Sequence, residues 1–331
     1  MMWQRPAVIG AGSWGTALAI LLAKRGFPVN LWVHDPALAE RLAETRVNDV
    51  YLPDSALGKN VKVCTTMYNC LRQVDSVIFA VPSHALRQVA LLARPDLPVK
   101  VNLVSAAKGL EENTLLRMSE VLHEVFPGAP ISVLSGPSFA VEVAAGQPTA
   151  LVAASSDLAS AQQVQQMMAG PNFRVYMSQD VAGVELGGAM KNVIAIAAGV
   201  CYGLQLGQNA VAALITRGLA EMSRLAVALG GQTQTLAGLA GLGDLVLTCT
   251  GELSRNRAIG VQLAHGRSLA EITRDMRTVA EGIKSTGSVV KLGLREKVSL
   301  PISEQMHAVL HGERSPEQAI RILMERSPGG E

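Results

Sequence analysis

A short apolar run, Ala7–Ile9, ends directly in Gly10-Ala11-Gly12-Ser13-Trp14-Gly15, and a small-residue helical pattern follows from Trp14 to Lys24. That order of strand, glycine turn and helix leaves few folds open. The first glycine permits a tight turn and the second lets a pyrophosphate approach the backbone. The third lets the helix pack closely on the strand, with phosphates held at the helix N-terminus. Alone the hexapeptide is a weak signal. Opening the first βαβ unit of an alternating pattern makes it a specific one for a dinucleotide.

The alternation continues through the first half. Strands are predicted at Val29–Val33, Val61–Cys64, Ser76–Ala80, Val99–Val104 and Ile131–Leu134, with helical patterns between them at Ala85–Leu92 and Thr114–Val125. This predicts a parallel, doubly wound sheet with helices on both faces. Two more β-rich runs, Ala150–Ala154 and Phe173–Tyr176, flank a helical segment at Leu158–Met168 and are expected to extend the sheet. Beyond Val181 the β pattern stops and helical spacing takes over, as in Ala210–Leu229, Arg257–Ala264, Leu269–Met276, Ile283–Leu294 and Ile302–Leu310. Two domains are expected, residues 1–180 and residues 181–331, meeting at a helix edge near Asp180. Arg217, Glu221 and Arg224 read as a solvated or interdomain stripe.

The chain's 331 residues suit two domains of about 150 residues each. A net charge of +2 gives no electrostatic footprint for nucleic acid. Cys64, Cys70, Cys201 and Cys249 show no metal-ligand spacing and fit free thiols in a reducing compartment. No metal is expected. The N-terminus lacks a signal-peptide apolar region, and the apolar stretch Val193–Leu206 is interrupted by Gly199, Gly203 and Gln205. A cytoplasmic chain without a membrane span is the expectation.

The second strand ends in Trp32-Val33-His34-Asp35, roughly 20 residues past the last glycine, where an acid would bind the adenosine ribose. Asp35 as a ribose acceptor favours NAD; His34, with Arg41 near enough to help, favours a 2′-phosphate and NADP. Asp35 is equally well read as the N-cap of a helix starting at Pro36, which leaves the 2′ position to His34.

One lysine, Lys191, sits inside VELGGAMKNVIAIAAGV, a run whose helix would be buried almost all round. An ammonium there needs a partner, and such lysines are candidates for acid–base chemistry, although a snorkelling side chain would also fit. Three further segments carry groups suited to a small anion: Lys108 in SAAKGLE, Ser138 in LSGPSFA, and GLAGLGDLVLTCTGELSRNR. In the last, a glycine-rich loop brings in Asp244 and Thr248, and Ser254-Arg255-Asn256-Arg257 starts a helix that would cradle an oxyanion.

In order along the chain, GAGSWGTALA, AAKGLE, SGPSFA, GGAMKNVIAIAAG, AALITRGLAEMSRL, GLAGLGDLVLTCT, SRNR and VAEG resemble the bacterial NAD(P)-dependent glycerol-3-phosphate dehydrogenases. The resemblance implies an N-terminal Rossmann-like doubly wound sheet with an all-helical C-terminal domain, as in 6-phosphogluconate-dehydrogenase-like folds. It implies hydride transfer between NADP(H) or NAD(H) and dihydroxyacetone phosphate, giving sn-glycerol 3-phosphate, the precursor of glycerophospholipids; a homodimer is expected separately, because the extended apolar helices permit one. Lys191 would be the proton donor and acceptor. Substrate contacts would match Lys108, Gly136, Ser138, Lys191, Asn192, Asp244, Ser254, Arg255 and Asn256. Cofactor contacts would match Gly10, Gly12, Ser13, Trp14, Gly15, His34, Lys108, Ala140, Arg255, Val279 and Glu281. Tyr202 departs from the aspartate common in relatives, in what reads as a loop. A β-hydroxyacid dehydrogenase of the same layout, or a nicotinamide sensor without chemistry, are the competing readings.

Overall fold

The structure is a computed structural model that describes residues 5–274, 276 and 280–327. The chain forms two compact units. One comprises Met1–Lys108 and Leu116–Glu185; the other comprises Gly109–Leu115 and Leu186–Glu331.

Among the described residues the first unit holds ten strands: β1 (Pro6–Ile9), β2 (Val29–Trp32), β3 (Val47–Asn48), β4 (Leu52–Ala56), β5 (Val61–Cys64), β6 (Ser76–Phe79), β7 (Asn102–Ser105), β8 (Ile131–Ser135), β9 (Thr149–Ala154) and β10 (Phe173–Ser178). Eight make one sheet in the order β10-β9-β8-β7-β6-β1-β2-β5, and β3 and β4 form a separate small hairpin. Alternate residues feed two apolar layers. Val8, Leu31, Ile78, Val104 and Leu134 enter one; Ala7, Ile9, Val77, Phe79 and Leu103 enter the other. Both faces are covered, which is why these strands read as continuous apolar runs. This is a Rossmann-like fold.

The sheet differs from the all-parallel expectation at one edge. β9 pairs antiparallel with β8, and β10 runs parallel to β9. The connecting helix Ala140–Ala145 has six residues. It is about 9 Å long, too short to return the chain along a strand about 17 Å long. The chain therefore re-enters the sheet from the edge it has just left. Lys24 fixes that helix by donating from Nζ to the Ala144 carbonyl at 2.8 Å.

Among the described residues the second unit is helical. Its centre is Val181–Gly203, a single helix of 23 residues that starts in the first unit. It is long and apolar enough to cross a bilayer, contrary to the interrupted stretch expected, but its apolar window is wholly buried within the chain. Helix Arg255–Ala264 lies against it without room for side chains. A Cβ on Gly199 would fall 2.0 Å from the Arg257 carbonyl oxygen, and one on Gly260 would fall 1.9 Å from that of Ile196. Segment Gly109–Leu115 belongs to this unit through Leu110, buried in its core, and a Glu112–Lys284 ion pair of 3.1 Å.

Three local expectations are corrected. Glu221 is not solvated: it is 1% exposed and accepts from the backbone N–H groups of Ile302 (2.6 Å) and Ser303 (3.3 Å), capping helix Pro301–Leu310. Tyr202 lies in the last turn of Val181–Gly203 rather than in a loop, with the Arg257 guanidinium 4.2 Å from its ring centre. The glycine-rich loop is helical. Leu239–Gly243 forms a π-turn that continues into helix Asp244–Thr250.

Candidate active site

In the first unit, Gly10, His34, Lys108 and Gly136 follow β1, β2, β7 and β8, four parallel strands, so they share the carboxyl edge of the sheet. β1 lies between β6 and β2, where the winding direction reverses and open α/β sheets bind ligands. The three glycines have different reasons. Gly10 has φ +112, and a Cβ there would fall 2.8 Å from the Ala80 carbonyl oxygen. A Cβ on Gly15 would fall 1.9 Å from the Gly10 carbonyl oxygen, so close packing requires that glycine. Around Gly12, among the described residues and apart from its chain neighbours, no atom lies within 4 Å of the Cβ position. The chain's own packing does not require a glycine at this point, whereas a ligand approaching the backbone would.

The N-terminus of helix Ser13–Lys24 fits a pyrophosphate in other respects. No side chain caps it and no acid occupies its first turn. The buried Trp14 Nε1 has no hydrogen-bond partner among the described residues. At the end of β2, Asp35 is the cap of helix Pro36–Thr45, its Oδ1 accepting from Ala37 N–H at 2.9 Å and Leu38 N–H at 3.4 Å. Arg41 pairs with Asp49 at 3.1 Å, and its side chain remains exposed. His34 is exposed.

Lys108, Gly136 and Ser138 come together. Lys108 Nζ donates to the Gly136 carbonyl at 2.8 Å, and Ser138 Oγ donates to the same oxygen at 3.0 Å. Gly136 has φ +130 and abuts Leu151. Ala140 is the first residue of the short helix that follows.

In the second unit Lys191 is buried at 7% exposure. Its Nζ lies 3.2 Å from Asp244 Oδ1 and donates to Thr248 Oγ1 at 2.8 Å and Asn192 Oδ1 at 3.2 Å. Two of the ammonium's three N–H groups thus have hydrogen-bond acceptors, and the Asp244 carboxylate balances its charge. Thr248 is held in turn by the Asp244 carbonyl at 2.6 Å. Asn192 Oδ1 also accepts from Asn256 Nδ2 at 2.9 Å, and Asn256 Oδ1 accepts from the Gly282 N–H at 3.1 Å. Thus Lys191, Asn192, Asp244 and Asn256 form one buried network. Gly282, which the sequence reading passes over, completes it; a Cβ there would fall 2.5 Å from Asn256 Oδ1. Its signal was the glycine of VAEG following the acid that drew attention.

Ser254 caps helix Arg255–Ala264, its Oγ accepting from the Arg257 N–H at 3.3 Å. Arg255 is that helix's first residue and is exposed, whereas Asn256 is buried. Glu281 begins helix Glu281–Arg295 beside Gly282. Val279 lies outside the described residues.

A dinucleotide-binding sheet followed by a helical unit that buries an ion-paired lysine is the layout of a nicotinamide-dependent dehydrogenase. Comparison with known proteins identifies the group. The chain belongs to the NAD-dependent glycerol-3-phosphate dehydrogenase family: the model of that family's N-terminus matches residues 6–161 and that of its C-terminus residues 180–321. It is 51% identical over 328 residues to a glycerol-3-phosphate dehydrogenase (NAD(P)+) of Koribacter versatilis, covering 98% of this chain and 97% of that one. A Geobacter metallireducens enzyme of the same name is 49% identical, covering 100% and 99%. The crystal structure of a Coxiella burnetii glycerol-3-phosphate dehydrogenase superposes with a TM-score of 0.95 at 40% identity, covering 98% and 100%.

Proposed function

We propose that Lys191 is the acid–base group with which this chain, as an NAD(P)-dependent oxidoreductase, interconverts dihydroxyacetone phosphate and sn-glycerol 3-phosphate. The observation that carries the reading is the ammonium held between Asp244, Thr248 and Asn192 in an otherwise apolar helix. The nicotinamide supplies the hydride when bound. Lys191 Nζ then gives a proton to the substrate oxygen as it becomes a hydroxyl, and takes one back in the reverse direction. Asp244 keeps the ammonium oriented and its charge compensated.

Ser254, Arg255 and Asn256 are assigned to the substrate phosphate. Arg255 offers a charged fork at a helix N-terminus, and Asn256 keeps one of its two amide hydrogens beyond the bond to Asn192. Gly10, Gly12, Ser13, Trp14 and Gly15 are assigned to the dinucleotide, with His34 at the 2′ position because Asp35 is occupied as a cap. Lys108, Gly136, Ser138 and Ala140 complete the assignment in the first unit, and Val279 and Glu281 in the second. The division at residue 180 into cofactor and substrate domains is part of the same proposal. So are a cytoplasmic location and a homodimer, for which the exposed Leu242, Val246 and Leu253 offer apolar surface; sedimentation at micromolar concentration tests the dimer.

The test of the assignment is Lys191→Ala, assayed for dihydroxyacetone phosphate reduction with NADH and NADPH in parallel. Turnover should be abolished while dinucleotide binding survives. Near-normal turnover by the folded variant would end the assignment.

A further inference from the structure

The hairpin of β3 and β4 delivers a buried amide to the glycine turn. Asn48 is fully buried, and its Nδ2 donates to the Ala11 carbonyl at 2.9 Å and to Thr16 Oγ1 at 2.8 Å. Its Oδ1 accepts from the Tyr51 N–H at 3.1 Å. The orientation of the amide is dictated by these partners. A carbonyl only accepts, so nitrogen must face Ala11; an N–H only donates, so oxygen must face Tyr51. The hairpin itself is anchored by Arg46, which turns the chain out of helix Pro36–Thr45 at φ +62 and donates to the carbonyls of Gly58 (2.6 Å) and Val61 (2.8 Å).

The bond to Ala11 has a directional consequence. The Ala11 carbonyl and the Gly12 N–H belong to one planar trans peptide and point in opposite directions. Drawing the carbonyl toward Asn48 turns the Gly12 N–H away from it. That N–H stands at the uncapped start of helix Ser13–Lys24, where the Cβ position of Gly12 is clear of the chain.

We propose that Asn48 is a positioning residue for cofactor binding: it sets the plane of the Ala11–Gly12 peptide so that the Gly12 N–H is presented to the pyrophosphate. The proposal rests on the assignment of this turn to the dinucleotide. With the amide gone, the peptide is free to rotate, and the phosphates would meet a carbonyl oxygen where a donor is needed.

Asn48→Asp is the direct test. The variant has the same size and keeps an acceptor for the Tyr51 N–H and the Thr16 hydroxyl, but sets a carboxylate against the Ala11 carbonyl. The NADPH Kd and KM should rise by about tenfold or more, the loss expected for a charge-assisted hydrogen bond. The kcat and the KM for dihydroxyacetone phosphate should stay within about twofold, because the substrate machinery is untouched. Thr16→Val removes the other bond of the Asn48 amide and spares the one to Ala11. It should lower Tm while leaving the NADPH KM within about twofold.

A merely structural role predicts that NADPH KM follows Tm across both variants, and that result overturns the proposal. Asn48→Ser, which leaves a small hole instead of a charge, serves if the aspartate variant does not fold; it should show the same split between cofactor and substrate KM. Gly12→Ala separates the two readings. If it raises the NADPH KM and the Asn48 variants do not, the positioning role alone falls. If Gly12→Ala changes nothing, the assignment of the turn falls and the role of Asn48 with it.

Discussion

Asp244 Oδ1 lies 3.2 Å from Lys191 Nζ, and the carboxylate side chain, 2% exposed, is buried more deeply than the 8% exposed lysine it pairs with. Neither charge has water to fall back on. Removing one leaves the other desolvated, which costs about 3–5 kcal/mol for a buried pair. Lys191→Met should therefore destabilise the protein as well as stop turnover. Lys191→Met combined with Asp244→Asn should recover much of the stability and none of the activity. Urea denaturation of the single and double variants, alongside the assay, separates the two effects; a double variant no more stable than the single one would show that the carboxylate is not the source of the loss.

Arg255 is exposed at the first position of its helix, so its replacement should cost little stability. Arg255→Ala should raise the KM for dihydroxyacetone phosphate by an amount worth roughly 1.5–3 kcal/mol, the range for a charge-assisted hydrogen bond. The NADPH affinity distinguishes the two roles assigned to this residue. If only the substrate KM moves, the phosphate is its partner; an unchanged substrate KM removes Arg255 from the cradle.

Glu221 should give the protein a pH-dependent stability. Burial, only partly offset by the N–H groups of Ile302 and Ser303, pushes its carboxyl up to about 7 from 4.5. The folded form thus holds a proton that the unfolded chain has released. Stability from this group is fully present below about pH 4.5 and is lost as pH rises through 7, by an amount on the order of 3 kcal/mol. Glu221→Gln lacks this slope, so its stability relative to the parent should improve steadily between pH 4.5 and 8. Parallel curves for the two proteins would exclude the effect.

Tyr202 holds Arg257 by the face of its ring, 4.2 Å from the guanidinium carbon. The contact needs the ring and not the hydroxyl, so Tyr202→Phe should leave stability nearly unchanged. Tyr202→Ala should lose the cation–π term, about 0.5–2 kcal/mol, in addition to packing. Thermal denaturation of both variants checks this. Equal losses would point to the hydroxyl instead.

What could be read from the sequence was whatever depended on near neighbours. The helix at Leu158–Met168 matches its prediction at both ends, and its start is fixed by Asp157, the adjacent residue, which caps it. The strand β5 and the turn at Gly10–Gly15 were legible for the same reason. Glu221 was not, because its spacing with Arg217 and Arg224 looks like a solvated helix face. What buries it is the start of a helix 81 residues further on. Asn48 was hidden in a strand of two residues, too short to leave a periodic pattern. The reversed direction of β9 follows from the length of one short helix, which composition does not reveal. In the site, Lys191 and Asp244 were both singled out and the structure places them in contact. The link from Asn256 to Gly282 depends on two segments meeting, and nothing in either announces it.

The acceptors already gathered around Lys191 Nζ bear on inhibitor design. A ligand oxygen that reaches this ammonium competes with those acceptors and gains only the difference. A neutral ketone is no better an acceptor than the Thr248 hydroxyl, so it should draw little affinity from the contact. An oxyanion is a much stronger acceptor, and the exchange then becomes favourable. Compounds carrying a fixed negative oxygen at the position of the substrate's reacting oxygen should therefore outcompete uncharged mimics of the same shape by a wide margin.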